Sequence, residues 1–418
     1  MAKRGSITKG IFYLFLALIP FQFALNASEG VDIAVGRLVA LLLAFFLAGF
    51  ALKRRSFTIS SSALSFFLAL FFLWSGMSLF WGEDSPAGIR KFLFLANFFP
   101  LFWLLPNLSR YGLERFKPYL LYSAFAVSLV GIGQFIAQFI FGAEGVFQFW
   151  ASLAPYIYGK TFSESILTHP SWLVDIGGQT TLRAIAFFPD PHIFGFYLAF
   201  VIPLAFFSKK ILFKICGIIF VVTLLLTFSR AAYIGALAAL ISYNILKLIR
   251  NYSLFSILYS LFFLVTLIVA LFFTPIGSRF FSSFNLQEGS IAGRLENVSQ
   301  AISLVKEHPL IGVGLGNYAR ALDPLAGERS PVTAHNLYLD IWAELGIVGL
   351  FLFLGVLFFA FAYSLANSQY PIFLTLIWFA AQSLFDTPMF SVHILPLLIV
   401  FLGIADANNK GNLKVKCL

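Results

Sequence analysis

The sequence predicts an all-α polytopic membrane protein, with about 12 transmembrane helices and a large outer loop bearing amphipathic helices. Three observations predict it. Of the 418 residues, 60% are hydrophobic and only 11% charged, and the mean hydropathy is +0.90, more apolar sequence than a soluble core can use. The apolar residues come in runs close to the roughly 20 that cross a bilayer. Lys and Arg collect in short clusters between those runs, as the positive-inside rule requires, so the net charge of +10 does not mark a nucleic-acid partner. Cys216 and Cys417 offer neither a disulfide framework nor metal-ligand spacing.

The spans follow in order, each bound approximate. Span one covers about 10–26, after a start, MAKRGSITKG, that lacks a clear cleavage site and reads as a retained first helix. Span two, about 33–52, ends on Lys53, Arg54 and Arg55, which places that end in the cytoplasm. Spans three (about 62–81) and four (about 91–108) flank the short outer loop GEDSPAG and return to Arg110, Arg115 and Lys117. Arg90 and Lys91 break the charge rule, and are expected to snorkel to outer headgroups. Span five (about 118–141) opens into an outer segment, 142–186, rich in aromatics and turn residues. Spans six (about 190–208), seven (about 211–228) and eight (about 231–246) descend, rise and descend again, with Lys209, Lys210, Lys247 and Arg250 at inner ends. Span nine (about 253–273) rises to the large outer segment 274–345, and spans ten (about 346–365), eleven (about 371–386) and twelve (about 391–405) complete the bundle. The whole chain is one integral membrane domain with both termini cytoplasmic.

This topology puts all five histidines (His169, His192, His308, His335 and His393) on the outer side, with Arg183, Arg230, Arg279 and Arg294. Nothing outside the cytoplasm supplies nucleoside triphosphates or nucleotide sugars, so an outward-facing transferase must use a donor already activated and carried on lipid. Within 274–345, Arg294 opens an amphipathic helix whose apolar stripe is Leu295, Val298, Ile302 and Val305, ended by Pro309. On local sequence alone, an exposed charge fits Arg294 as well as a functional one. Arg230 sits in a short turn between two spans, where a charge is costly unless protein or ligand pairs with it; snorkelling is the ordinary alternative. Gly312, Gly314 and Gly316 superficially resemble a phosphate loop, but no strand precedes them, and they are read as letting the backbone turn sharply. His335 opens the helix leading to span ten; imidazole suits proton transfer near neutral pH, although a lone interfacial histidine more often has only a backbone partner. Asp340 and Glu344 read as capping or packing partners. No outer carboxylate pair has metal-site spacing, so the expectation is chemistry without metal or cofactor.

AHNLYLDIWAELGIVG resembles the His-Asn, nine residues, Gly-x-x-Gly pattern of the O-antigen ligase family, with His335-Asn336 at its head and Gly346 and Gly349 at its tail. GRLENVSQAISLVKEHPLIGVGLGNY resembles that family's arginine, amphipathic helix, His-Pro-Leu and glycine turn. TFSRAAYIGAL resembles its Ser/Thr-Arg turn. RAIAFFPDPHIFGFYL resembles a looser pattern of arginine and a Pro-Asn pair, here with His192 where asparagine is usual. The resemblance spans about 180–350 and extends to O-antigen polymerases and protein O-oligosaccharyltransferases.

The resemblance implies a membrane glycosyltransferase of the GT-C type in the bacterial inner membrane with a periplasmic active site. It implies an undecaprenyl-pyrophosphate-linked glycan as donor and a sugar hydroxyl of lipid A-core as acceptor. His335 would be the catalytic histidine, Arg294 and Arg230 the essential arginines, and Arg183, Asn336 and Tyr338 would bind substrate. The chemistry agrees. A pyrophosphate leaving group needs opposing positive charge more than an acid, arginine supplies it at any working pH, and direct displacement inverts the anomeric centre. A lipid or solute transporter is the alternative of a different class. It would show paired ionisable groups at mid-membrane or broken helices in matching halves, and the sequence has neither.

Overall fold

The computed structural model describes residues 2–28, 31–53, 56–108, 115–168, 171–176, 178–249, 258, 289–326, 332–407 and 412–416. Span nine (apart from Leu258), His169, Arg279, Cys417 and the start of the large outer segment lie outside the described residues. The described chain is a helical bundle. Ala63–Phe80, Ser85–Leu104, Lys117–Phe141, Arg230–Ile249 and Leu337–Ala366 are long and apolar enough to cross a membrane. Shorter apolar helices, Ile7–Leu18, Val35–Gly49, Pro191–Phe206, Ile211–Leu226, Tyr370–Gln382 and Leu395–Ala407, accompany them. In order, these helices fall on the predicted spans one to eight and ten to twelve.

Local chemistry sets several helix starts. The Ser62 hydroxyl accepts the N–H of Ser65, and the carboxylates of Asp84 and Asp190 accept those of Ala87 and Ile193. Pro86 and Pro191 sit in the first turns, where a missing N–H costs nothing. The core is aromatic: Phe188 stacks on Phe194 at 4.6 Å, and Phe200 meets Phe401 edge-on at 4.9 Å.

Among the described residues, three short two-stranded sheets join the helices: Ala24–Ser28 with Val31–Ala34, Ser56–Ser60 with Asn412–Lys416, and Leu173–Ile176 with Gln179–Leu182. The segment 142–186 thus holds the helices Ala143–Tyr158 and Lys160–Thr168 and a hairpin that ends immediately before Arg183.

Two expectations are corrected. Lys91 does not snorkel. Its ammonium bonds both carboxylate oxygens of Glu344, at 2.6 and 2.8 Å, and lies 4.1 Å from the centre of the Phe390 ring. The helix Gly289–Glu307 buries Ala301, Leu304 and Val305 against Tyr318, Ala334 and Ala343, while Leu295 and Ile302 of the predicted stripe are exposed. Its C-terminal half makes the packing contact, and the small Ala301 permits the close approach.

Candidate functional site

Four stretches distant in sequence meet at one end of the bundle: 183–192, the turn 227–230, the start of Leu337–Ala366, and the segment after Tyr370–Gln382. The last of these carries Asp386, and the other three are tied to it or to one another.

The arginine at the hairpin's end fixes the turn. Arg183 is 5% exposed, and its guanidinium donates to the carbonyls of Thr227 (2.8 Å), Ser171 (3.0 Å) and Phe228 (3.3 Å). Phe228 holds a left-handed backbone, φ 48°. Ser229 follows, fully buried, and then Arg230, half-buried at the start of its helix. His192 bridges this turn to the next stretch, its Nδ1 lying 3.0 Å from the Ser229 hydroxyl and 3.6 Å from Oδ2 of Asp386.

On the other side of Asp386 stands His335, whose Nδ1 is 3.8 Å from Oδ1. His335 also has a left-handed backbone, φ 49°, and Ala186 within the first stretch shares it at φ 49°. Such conformations cost about 1–2 kcal/mol in a residue with a Cβ, and their gathering here fits strain stored at a working site. The side chain of His335 is 39% exposed and that of Asp386 15%, so the imidazole is open while the carboxylate is recessed behind it. Burial works against ionisation of Asp386. The approach of His335 and the positive charge of Arg294 act the other way and hold the carboxyl below the usual carboxylate range. Through that coupling the half-buried Arg294, on Gly289–Glu307, belongs to the same electrostatic cluster as His192, His335 and Asp386.

The other residues singled out in the sequence hold the frame. Asn336 caps its helix, its side-chain oxygen accepting the N–H groups of Tyr338 and Leu339. The Tyr338 hydroxyl donates to the carbonyl of Ala380 at 2.8 Å. Gly346 breaks Leu337–Ala366 at φ 69°, and the break turns carbonyls outward. Those of Ala343 and Glu344 accept the N–H groups of Val313 and Gly314, and that of Leu345 accepts the indole N–H of Trp74. The glycine turn crosses this break closely, with φ of 70°, 93° and 80° at Gly312, Gly314 and Gly316, as its sharp-turn reading requires. The turn is held from the other side by the loop after Ala63–Phe80. The Asn317 side-chain oxygen accepts the N–H of Asp84 at 2.5 Å, and Arg320 pairs with the Asp84 carboxylate at 2.9 Å.

Sequence reasoning missed Asp386. The available signal was a lone carboxylate ending an apolar run, in a chain with only 18 Asp and Glu. It also treated His192 only as a departure from a pattern, whereas its imidazole lies between the turn and Asp386.

Residues 215–354, about a third of the chain, match the model of the family described as O-antigen ligase, a family of ligase- or polymerase-type function in O-antigen assembly. No curated protein matches the chain.

Proposed function

The chain belongs to the O-antigen ligase family, and on that premise we propose that it is an O-antigen ligase. It transfers a glycan from undecaprenyl pyrophosphate to a sugar hydroxyl of lipid A-core, at the periplasmic face of the inner membrane and without a metal. The observation that carries the reading is the convergence of His335, Asp386 and His192 beside the Ser229-Arg230 turn.

In this reading His335 takes the proton of the acceptor hydroxyl. The hydroxyl oxygen forms its bond to the anomeric carbon as the bond to the pyrophosphate oxygen breaks, and the configuration inverts. Asp386, held ionised, offsets the charge of the imidazolium and directs its Nδ1. Arg294 and Arg230 stay charged throughout and offset the departing pyrophosphate. The donors of Arg183 are engaged by the turn, and Asn336 and Tyr338 by helix capping and the Ala380 carbonyl. These three therefore shape the substrate site chiefly by holding Arg230 and His335 in place.

The test is transfer by the purified chain in detergent, with an undecaprenyl-pyrophosphate glycan and lipid A-core. A ladder of modified core is expected. His335→Ala and Arg294→Ala should each lower the rate by about 100- to 1,000-fold while still inserting in the membrane. Near-normal transfer by either variant would sink the assignment. Lengthened lipid-pyrophosphate glycans beside untouched core would make the chain a polymerase.

A further inference from the structure

We propose that Asp340 is a positioning residue that sets the approach of His335 to Asp386 while touching neither. The proposal rests on the reading of His335 as the base.

Asp340 lies in the first turn of Leu337–Ala366 and is 7% exposed. Its Oδ1 accepts the N–H of Ala334 at 2.8 Å, and its Oδ2 accepts the hydroxyl proton of Thr387. Ala334 immediately precedes His335, and Thr387 immediately follows Asp386. Thr387 is also joined to the reacting carboxylate, its own N–H donating to Oδ1 of Asp386 at 3.0 Å. One buried carboxylate therefore ties the two backbone segments that carry the pair.

The pair itself has no bond to fix it. His335 Nδ1 and Asp386 Oδ1 stand 3.8 Å apart, and among the described residues neither Nδ1 of His335 nor Oδ2 of Asp386 has a hydrogen-bond partner. Their separation is set by what holds their backbones. Upstream of Asp386, the Leu337 N–H donates to the carbonyl of Ser383 and the Tyr338 hydroxyl to that of Ala380. Downstream, the Thr387–Asp340 bond is the matching tie. Through its other oxygen Asp340 anchors Ala334, the residue before the left-handed His335, where a slip of the backbone would swing the imidazole.

An ordinary first-turn carboxylate that merely caps the chain would need only the Ala334 N–H. Removing the Thr387 hydroxyl separates the roles, because it leaves that bond intact and cuts the tie to Asp386. The experiment measures kcat and KM of the purified full chain with an undecaprenyl-pyrophosphate glycan and lipid A-core. Thr387→Val should lower kcat by at least about 10-fold with both KM values within about twofold, and Thr387→Ser should restore kcat to within about threefold of wild type. The double variant Asp340→Asn/Thr387→Val should be no slower than Asp340→Asn alone, as residues acting through one bond behave. If Thr387→Val does not accumulate in the membrane, Thr387→Ala takes its place. A kcat within twofold of wild type for the hydroxyl-free variant, or a loss that Thr387→Ser fails to restore, overturns the proposal. His335→Ala run alongside distinguishes the two failures. An active His335→Ala removes the reading of the base, whereas an inactive one beside a fully active Thr387→Val removes the bridge alone.

Discussion

Replacing Arg183 by lysine separates two roles for a buried cation, contact with the donor's phosphates or support of the turn that carries Arg230. The guanidinium serves the carbonyls of Thr227, Ser171 and Phe228 from three nitrogens of one planar fork. Lysine keeps the charge but offers a single compact head, which cannot reach all three. Leaving two buried carbonyls unsatisfied costs roughly 1–3 kcal/mol each, so about 2–6 kcal/mol acts against the native turn. Phe228 already pays about 1–2 kcal/mol for its left-handed backbone, so the turn relaxes and carries Ser229 and Arg230 with it. A displacement of about 1 Å at a reacting centre costs on the order of 100-fold in rate. Arg183→Lys is therefore expected to transfer about 100-fold more slowly than wild type, close to Arg183→Ala. Single-turnover transfer from the lipid-linked donor measures this, with membrane insertion checked in parallel. If Arg183→Lys kept more than about a third of the wild-type rate while Arg183→Ala was inactive, charge rather than the fork would be what matters. Arg183 would then contact the donor.

Gly346→Ala should leave little monodisperse protein, because a Cβ there would run into the carbonyl of Leu310 at a φ that alanine resists. Gly133→Ala should be tolerated, since an added Cβ there meets nothing within 4 Å; equal yields of the two variants by size-exclusion chromatography would contradict the crossing of turn and helix break. Asp84→Ala should destabilise the chain by about 1 kcal/mol at neutral pH. The N–H of Ala87 and then Arg320 lower the folded-state pKa of Asp84, so its contribution is complete above the ordinary aspartate value and disappears as pH falls through the lowered one. Melting midpoints of wild type and Asp84→Ala should accordingly converge in acid, and a gap that stays constant with pH would rule out this ionic tie.

The bundle was legible because apolar runs and basic clusters report a membrane directly, and a helix is the simplest structure to satisfy its own backbone there. The head and tail of the His335 pattern were legible too. What escaped were relations between distant segments. Asp386 has no neighbour in sequence that marks it, and the groups that face it, His192 and His335, arrive from two other stretches. Lys91 broke the charge rule because its partner, Glu344, lies 253 positions away. The face of Gly289–Glu307 was read only in part: Val305 of the expected stripe is packed, but its buried neighbours are Ala301 and Leu304, while Leu295 and Ile302 are exposed. The hairpin 173–182 was read only as turn-rich sequence, since four-residue strands carry too little period to declare themselves.

These misses share a cause that bears on the site. Much of the family pattern records how a loop is held, and only part of it records chemistry. Asn336 is a cap, Gly346 a break that lets the glycine turn cross, Arg183 a clamp, and Ser229 a partner for His192. A good leaving group explains the division. With pyrophosphate departing readily, the proposed reaction asks for two arginines and one base, placed accurately where a lipid-borne donor and acceptor meet. Accuracy at the end of a bundle, where helices offer little lateral support, has to come from hydrogen bonds between segments. The density of such bonds around 183, 228, 317 and 336 is therefore the expected signature of a site whose catalysis depends on placement.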